Sequence, residues 1–207
     1  MNLDSLVDRF GASSAEPIHL GFSAATVVRL DRAGESLFHK AGPGIDEEAD
    51  RLVWLGGTGI PCPRVLDRGA GWMLTSELAG RDASQPWPTA DRPAVLEAMA
   101  EGLRALHSLT DCPFAAPFPG AREVVVHGDY CAPNVFIDPE TLTFSGILDI
   151  GGLGQGDPYV DFALMHQSLA GDLNPQYGGL PAARRFVELC SADPDDRRIR
   201  YYNEIDH

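Results

Sequence analysis

The chain has 207 residues, with 30 acidic side chains against 16 basic ones, a formal net charge of −14 and a pI near 4.6. That length can bury a real core as one large domain or two small lobes. The charge argues against a nucleic-acid backbone or an anionic membrane surface as partner, and suits small cationic ligands. Cys62, Cys112, Cys131 and Cys190 form no C-x-x-C pair, so neither a zinc site nor a disulfide framework is expected. The acidic first ten residues lack the apolar run of a signal peptide, and no segment approaches membrane-spanning length. A cytoplasmic protein is expected, with its oligomeric state left open.

Leu3, Leu6, Val7 and Phe10 fall at helical spacing. Three strand candidates follow: Ile18 to Leu20, Thr26 to Leu30 and Leu37 to Lys40. Gly21-Phe22-Ser23-Ala24-Ala25 joins the first two, either as an ordinary hairpin loop or as one covering phosphate with its N–H groups and the Ser23 hydroxyl. Asp46-Glu47-Glu48 opens a helix with Leu52, Val53 and Leu55 on its apolar side, and Gly56-Gly57-Thr58-Gly59 ends it. Val65 to Asp67 and Trp72 to Glu77 complete a small antiparallel sheet. The chain then crosses at Ser76-Glu77-Leu78-Ala79-Gly80, which divides it into an N-lobe of residues 1–78 and a C-lobe of residues 79–207.

The C-lobe begins with a loop around Pro86 and Pro88, followed by a helix from about Asp91 to Leu109 with Pro93 near its first turn. Val95, Leu96, Met99, Leu103 and Leu106 form its apolar stripe, and His107 reads as a packing or capping histidine. Strand-forming runs at Val124–Val126, Val135–Ile137 and Phe144–Leu148 come next, the last two joined by the turn Asp138-Pro139-Glu140-Thr141. Helices are expected over Asp161–Leu169 and Ala182–Cys190.

The chemistry is concentrated in His127-Gly128-Asp129-Tyr130-Cys131-Ala132-Pro133-Asn134 and in Ile147-Leu148-Asp149-Ile150-Gly151. Buried strands beside these segments would hold Asp129, Asn134 and Asp149 together. A carboxylate in a tight loop, an amide oxygen and a second carboxylate suit phosphoryl transfer from a Mg-nucleotide. Asn134 and Asp149 offer oxygen ligands to Mg²⁺, and Asp129 is free to orient a hydroxyl and accept its proton. Lys40 is the single lysine; every other basic residue is arginine. It ends a strand, where a compact ammonium can touch the α- and β-phosphates, and Glu48 is the carboxylate expected to pair with it.

These segments, with Glu48 to Leu55, Leu106-His107-Ser108-Leu109, Cys112-Pro113-Phe114 and Gly156-Asp157-Pro158-Tyr159-Val160-Asp161, resemble the aminoglycoside phosphotransferase family, most closely the 3′-hydroxyl kinases. They run in the family's order over nearly the whole chain. The resemblance implies an α+β, protein-kinase-like fold with a small antiparallel-sheet N-lobe and a mainly helical C-lobe. It implies Asp129 as catalytic aspartate, Asn134 and Asp149 as Mg²⁺ ligands, and Lys40 with Glu48 as the phosphate clamp. Ser23 would lie in the nucleotide loop and His127 would brace the catalytic loop. ATP or GTP would be the co-substrate and a cationic antibiotic the acceptor, with Asp157, Glu204 and Asp206 receiving its ammonium groups.

Two departures from the family pattern stand out. Members usually carry a long helical segment between Cys-Pro-Phe and His-Gly-Asp that contributes acidic contacts; here only Ala115 to Val126 bridge the gap. The familiar enzymes end in Leu-Asp-Glu-Phe-Phe, where this chain has Tyr201-Tyr202-Asn203-Glu204-Ile205-Asp206-His207, and Gly152 stands where an arginine is common. A more open substrate pocket is expected. The alternatives are a kinase of a nucleoside or other natural-product antibiotic, a homoserine- or sugar-amine-type kinase, and a nonenzymatic nucleotide-binding module. The short stretch from Asp149 to Asp161 leaves little room for the activation segment of a protein kinase.

Overall fold

Asn2 opens the first helix, α1 (Leu3–Phe10), by accepting the Asp4 N–H on its side chain, and left-handed Gly11 closes it. The strands β1 (Ser14–Ile18), β2 (Thr26–Arg32) and β3 (Glu35–Ala41) follow, then α2 (Ile45–Gly56), β4 (Val65–Gly69) and β5 (Trp72–Ser76). The computed structural model describes residues 2–18 and 25–205. The chain divides into two units, Met1–Leu78 and Ala79–His207.

In the first unit the five strands form an antiparallel sheet in the order β1-β2-β3-β5-β4. Ala33 and Gly34, both at positive φ, make the two-residue turn between β2 and β3. Leu6 and Phe10 of α1 pack on Val28, Leu30, Leu37 and Leu74 of the sheet. The first strand runs Ser14–Ile18, and of the expected Ile18 to Leu20 the last two residues lie outside the described ones; β1 is an edge strand, which tolerates Pro17, a residue without an N–H. Alternation along β3 then decides the chemistry. Leu37 and His39 point into the α1 cluster, and Lys40 falls on the opposite face of the sheet.

The second unit comprises β6 (Arg81–Asp82), α3 (Arg92–His107), β7 (Val124–Val126), β8 (Val135–Ile137), β9 (Phe144–Ile147), β10 (Gly154–Gly156), α4 (Tyr159–Ala170), α5 (Leu180–Leu189) and α6 (Arg197–Glu204). The expected stripe of α3 is buried, and the helix packs on α5 and on β7, β8 and β9. β8 and β9 form the expected hairpin, with Asp138 accepting the N–H groups of Glu140 and Thr141 in its turn. The valine strand β7 pairs with β10, and β8 pairs on its other side with β6. Neither β6 nor β10 is marked by periodicity, since one has two residues and the other reads Gly-Gln-Gly. Helix α6 was also unexpected: of its eight residues only Ile199 and Tyr202 are buried.

Candidate active site

β7 delivers His127 into the core of the second unit, and the chain turns sharply at Gly128, φ +81. A β-carbon on Gly128 would stand 2.7 Å from the Gly152 carbonyl oxygen, so the loop backbone lies directly on the segment after Asp149. That contact leaves little room at Gly152, where a β-carbon would lie 3.2 Å from the Gly128 Cα.

The loop is clamped from below by Asp161, fully buried on the first turn of α4. Its carboxylate accepts the N–H of His127 at 2.9 Å and of Gly128 at 3.0 Å, and lies 2.9 Å from His107 Nε2. His127 in turn fixes its own tautomer. Its Nδ1 accepts the Asp129 N–H at 3.1 Å, so Nε2 carries the proton and donates to the Leu148 carbonyl at 2.9 Å. One imidazole thus ties the Asp129 backbone to the residue before Asp149.

Asn134 makes the second tie. Its Nδ2 donates to the Asp129 carboxylate and to the Asp129 carbonyl, both at 2.9 Å, and its backbone carbonyl accepts the Leu148 N–H at 2.9 Å. With the amide nitrogen committed, Asn134 Oδ1 is turned away from Asp129, available to a hard cation. Asp149 is held at φ +55, a left-handed conformation, with its side chain exposed. Two protein oxygens, one amide and one carboxylate, fit Mg²⁺, which keeps water and phosphate in its remaining positions. Among the described residues there is no denser group of His, Cys, Asp and Glu for a metal.

Asp129 keeps one oxygen on Asn134, while Cys131 Sγ lies 3.5 Å from the other. Crowding by protein raises its pKa above the usual carboxylate range; the hydrogen bonds from Cys131 and Asn134 pull it down, and the Asp149 charge adds to the rise. A carboxylate with a raised pKa next to open solvent is a better proton acceptor than an ordinary aspartate.

The first unit carries its own polar pair. Lys40 Nζ lies 2.8 Å from Glu48 Oε1, and both side chains are mostly buried. Glu48 reaches it from the first turn of α2, a helix that packs near β4 and β5. Ser23 lies outside the described residues, as does Asp206.

The acidic residues assigned to the substrate separate. Glu204 ends α6 and is exposed. Asp157 is 5% exposed and turned inward: it accepts the Tyr159 N–H at 3.0 Å and both its oxygens lie 3.3 Å from Arg198. At Asp157, where an ammonium contact was expected, this chain already places a cation of its own, Arg198. Sequence reasoning also missed Asp161, whose signal was available. A lone carboxylate inside Val160-Asp161-Phe162-Ala163 must be buried with partners or not buried at all.

A sequence model of the phosphotransferase enzyme family matches residues 14–122 and 114–202. The chain belongs to that family. The two matched segments overlap at residues 114–122, in the Ala115–Val126 bridge where the sequence reading placed the shortening. An aminoglycoside 3′-phosphotransferase of Streptomyces ribosidificus is 33% identical, the alignment covering 91% of this chain and 93% of that protein. That alignment spans 246 positions, more than the chain's own 207, so internal gaps open in this family member. The crystal structure of an aminoglycoside-3′-phosphotransferase of type VIII superposes with a TM-score of 0.79 at 28% identity, covering 97% of both chains. Aminoglycoside phosphotransferase APH(3″)-Id from Streptomyces rimosus, in complex with ADP and streptomycin, superposes at 0.76 and 28% identity, covering 96% of this chain and 93% of its own. The fold is accordingly the protein-kinase-like α+β fold of this family of kinases, as expected.

Proposed function

We propose that the protein is an antibiotic kinase that transfers the γ-phosphoryl group of ATP or GTP to a hydroxyl of an aminoglycoside. The observation that carries this reading is the pair of hydrogen bonds from Asn134 Nδ2 to the carbonyl and carboxylate of Asp129. It aims one residue at the acceptor hydroxyl and leaves the neighbouring amide oxygen for a cation. Asp129 accepts the hydroxyl proton as the oxygen attacks the γ-phosphorus in line, the β–γ bridging bond breaks, and the nucleoside diphosphate leaves. Asn134 and Asp149 would hold Mg²⁺, which when bound neutralises phosphate charge. Lys40, held by Glu48, is assigned to the α- and β-phosphates, and Ser23 to the loop that covers them. His127 and Asp161 keep the loop in shape and exchange no proton with substrate. The acceptor's ammonium groups are assigned to Glu204 and Asp206. A kinase drawing on nucleoside triphosphate works in the cytoplasm, where that nucleotide is.

The relatives' names support the antibiotic class, and both 3′ and 3″ enzymes are among them. A second reading is favoured by two particulars, the short bridge and the Arg198 already seated on Asp157. Both remove negative charge from the acceptor side, which suits a less cationic natural product such as a nucleoside antibiotic. The test is a mass gain of one phosphoryl group across a panel of aminoglycosides with and without a 3′-hydroxyl, streptomycin, and nucleoside antibiotics. Chelation of Mg²⁺ should abolish the gain. Phosphorylation confined to nucleosides would replace the first reading by the second, and ATP consumption indifferent to every acceptor would remove both.

A further inference from the structure

The shortened bridge is not loose. Its ends are stitched to β10: the Gln155 N–H donates to the Phe114 carbonyl, the Ala116 N–H to the Gln155 carbonyl, and the Glu123 N–H to the Gly156 carbonyl, at 2.9 to 3.1 Å. Its tip is held from the other side by α6. The Tyr202 hydroxyl donates to the Pro119 carbonyl at 2.8 Å, and the Tyr202 side chain is 1% exposed. The next residue, Gly120, takes φ +125, and a β-carbon there would overlap the Tyr202 hydroxyl and lie 3.5 Å from Asp157 Cβ. Both the conformation and the close approach require glycine.

Helix α6 has a second anchor at its opposite end. Arg198 lies 3.3 Å from Asp157 and 2.9 Å from Asp196, and its guanidinium stacks 3.8 Å above the Tyr159 ring. Asp157 and Tyr159 open α4, so the first turn of α6 is fixed to the helix that also carries Asp161. The last turn, which ends at Glu204, is held by Tyr202 alone among the hydrogen bonds reaching that turn from outside the helix in the described residues.

We propose that Tyr202, seated on the Pro119–Gly120 backbone, is a specificity-determining positioning residue that sets where the carboxylate at the end of α6 meets the cationic acceptor. In this chain the bridge brings no helix of its own to the acceptor. It provides a fixed backbone seat, and α6 uses that seat to present Glu204. The inference rests on the proposed function, in which the end of α6 receives ammonium groups. A carboxylate displaced by an ångström or two loses much of its attraction for an ammonium without disturbing the reacting atoms, so the effect belongs in KM.

The test is Tyr202→Phe, which keeps the buried ring and deletes the hydroxyl, with Gly120→Ala as a second variant that pushes the seat itself. Steady-state kinetics with an aminoglycoside and with ATP are combined with hydrogen exchange of the α6 amides. Loss of one such hydrogen bond should raise KM for the aminoglycoside about fivefold in Tyr202→Phe, and more in Gly120→Ala. kcat and KM for ATP should stay within about twofold, while the α6 amides exchange faster. An unchanged aminoglycoside KM in folded Tyr202→Phe overturns the proposal even if exchange accelerates, and so does a parallel loss in kcat and in KM for ATP. A wild-type enzyme that phosphorylates no aminoglycoside is a separate result. It removes the proposed function first, and the role of the seat with it.

Discussion

Two neighbours and its setting would leave Asp129 one task. His127 takes its backbone N–H, Asn134 takes one carboxylate oxygen, and crowding by protein raises its affinity for a proton. Asp129→Asn keeps the size and removes the acceptor, so kcat should fall by about 10²- to 10⁴-fold while nucleotide affinity holds. Turnover assays and nucleotide titration read the two effects separately, and near-normal turnover would take Asp129 out of the role of base. Lys40 is a different case. Its ammonium is paired with Glu48 in a mostly buried setting, so Lys40→Ala would remove the proposed phosphate contact and also strand a carboxylate. The variant should lose productive phosphate placement, seen as weaker nucleotide binding together with lower kcat; nucleotide binding and turnover equal to wild type would reduce Lys40 to a structural cation.

At the scale of elements, α1 and the sheet of the first unit are joined by an aromatic group with a titratable member. His39 stacks on Trp72 with ring centroids 5.5 Å apart, Phe10 lies beside both, and Arg9 sits 4.2 Å over the Trp72 ring. Burial first, and the Arg9 charge second, lower the His39 pKa below 6.5, and its buried Nδ1 has no hydrogen-bond partner. A lowered pKa in the folded state means that the unfolded chain binds the proton more readily. The stability contributed by neutral His39 is therefore fully present above pH 6.5 and is lost as pH falls below it. The loss from one group is limited to about 1.4 kcal/mol per pH unit. Unfolding midpoints measured from pH 8 down to about pH 5 should decline, and His39→Phe should flatten part of that decline. A His39→Phe variant with the wild-type pH profile would show that protonation of this ring is not resisted. His166 in the second unit is also lowered, by burial and then by Arg184, and adds to the decline with the same sign.

Over the whole molecule the decisive quantity is the charge of −14. It would draw the proposed polycationic acceptor toward the protein and repel the nucleotide. Both effects weaken as the screening length shrinks from ~30 Å at 0.01 M salt to ~10 Å at 0.1 M. KM for an aminoglycoside should rise over that range, whereas KM for ATP should fall or stay level. The opposed signs separate field effects from a general effect of salt on the enzyme. An aminoglycoside KM indifferent to ionic strength would favour the uncharged-substrate reading. No helix among the described residues is long and apolar enough to cross a membrane.

Much of this was legible beforehand, for reasons that are local. The apolar stripe of α3, the Asx turn at Asp138 and the acidic start of α2 each depend on neighbours a few residues apart, so type and place could be read from the chain. Lys40 was marked by being the single lysine, and Asp129, Asn134 and Asp149 by their two motifs. What the order of residues could not reveal depends on partners far along the chain. β10 is a strand only because β7 lies beside it, and α6, with two buried residues, is ordered by Asp157 and by the bridge. Asp157 shows the difference most clearly: its motif marked a carboxylate at the right place, but only the fold brought Arg198, 41 positions later, close enough to neutralise it. Periodicity and motif report which groups are present; which charges remain free for a ligand is decided by long-range contacts that pair some of them first.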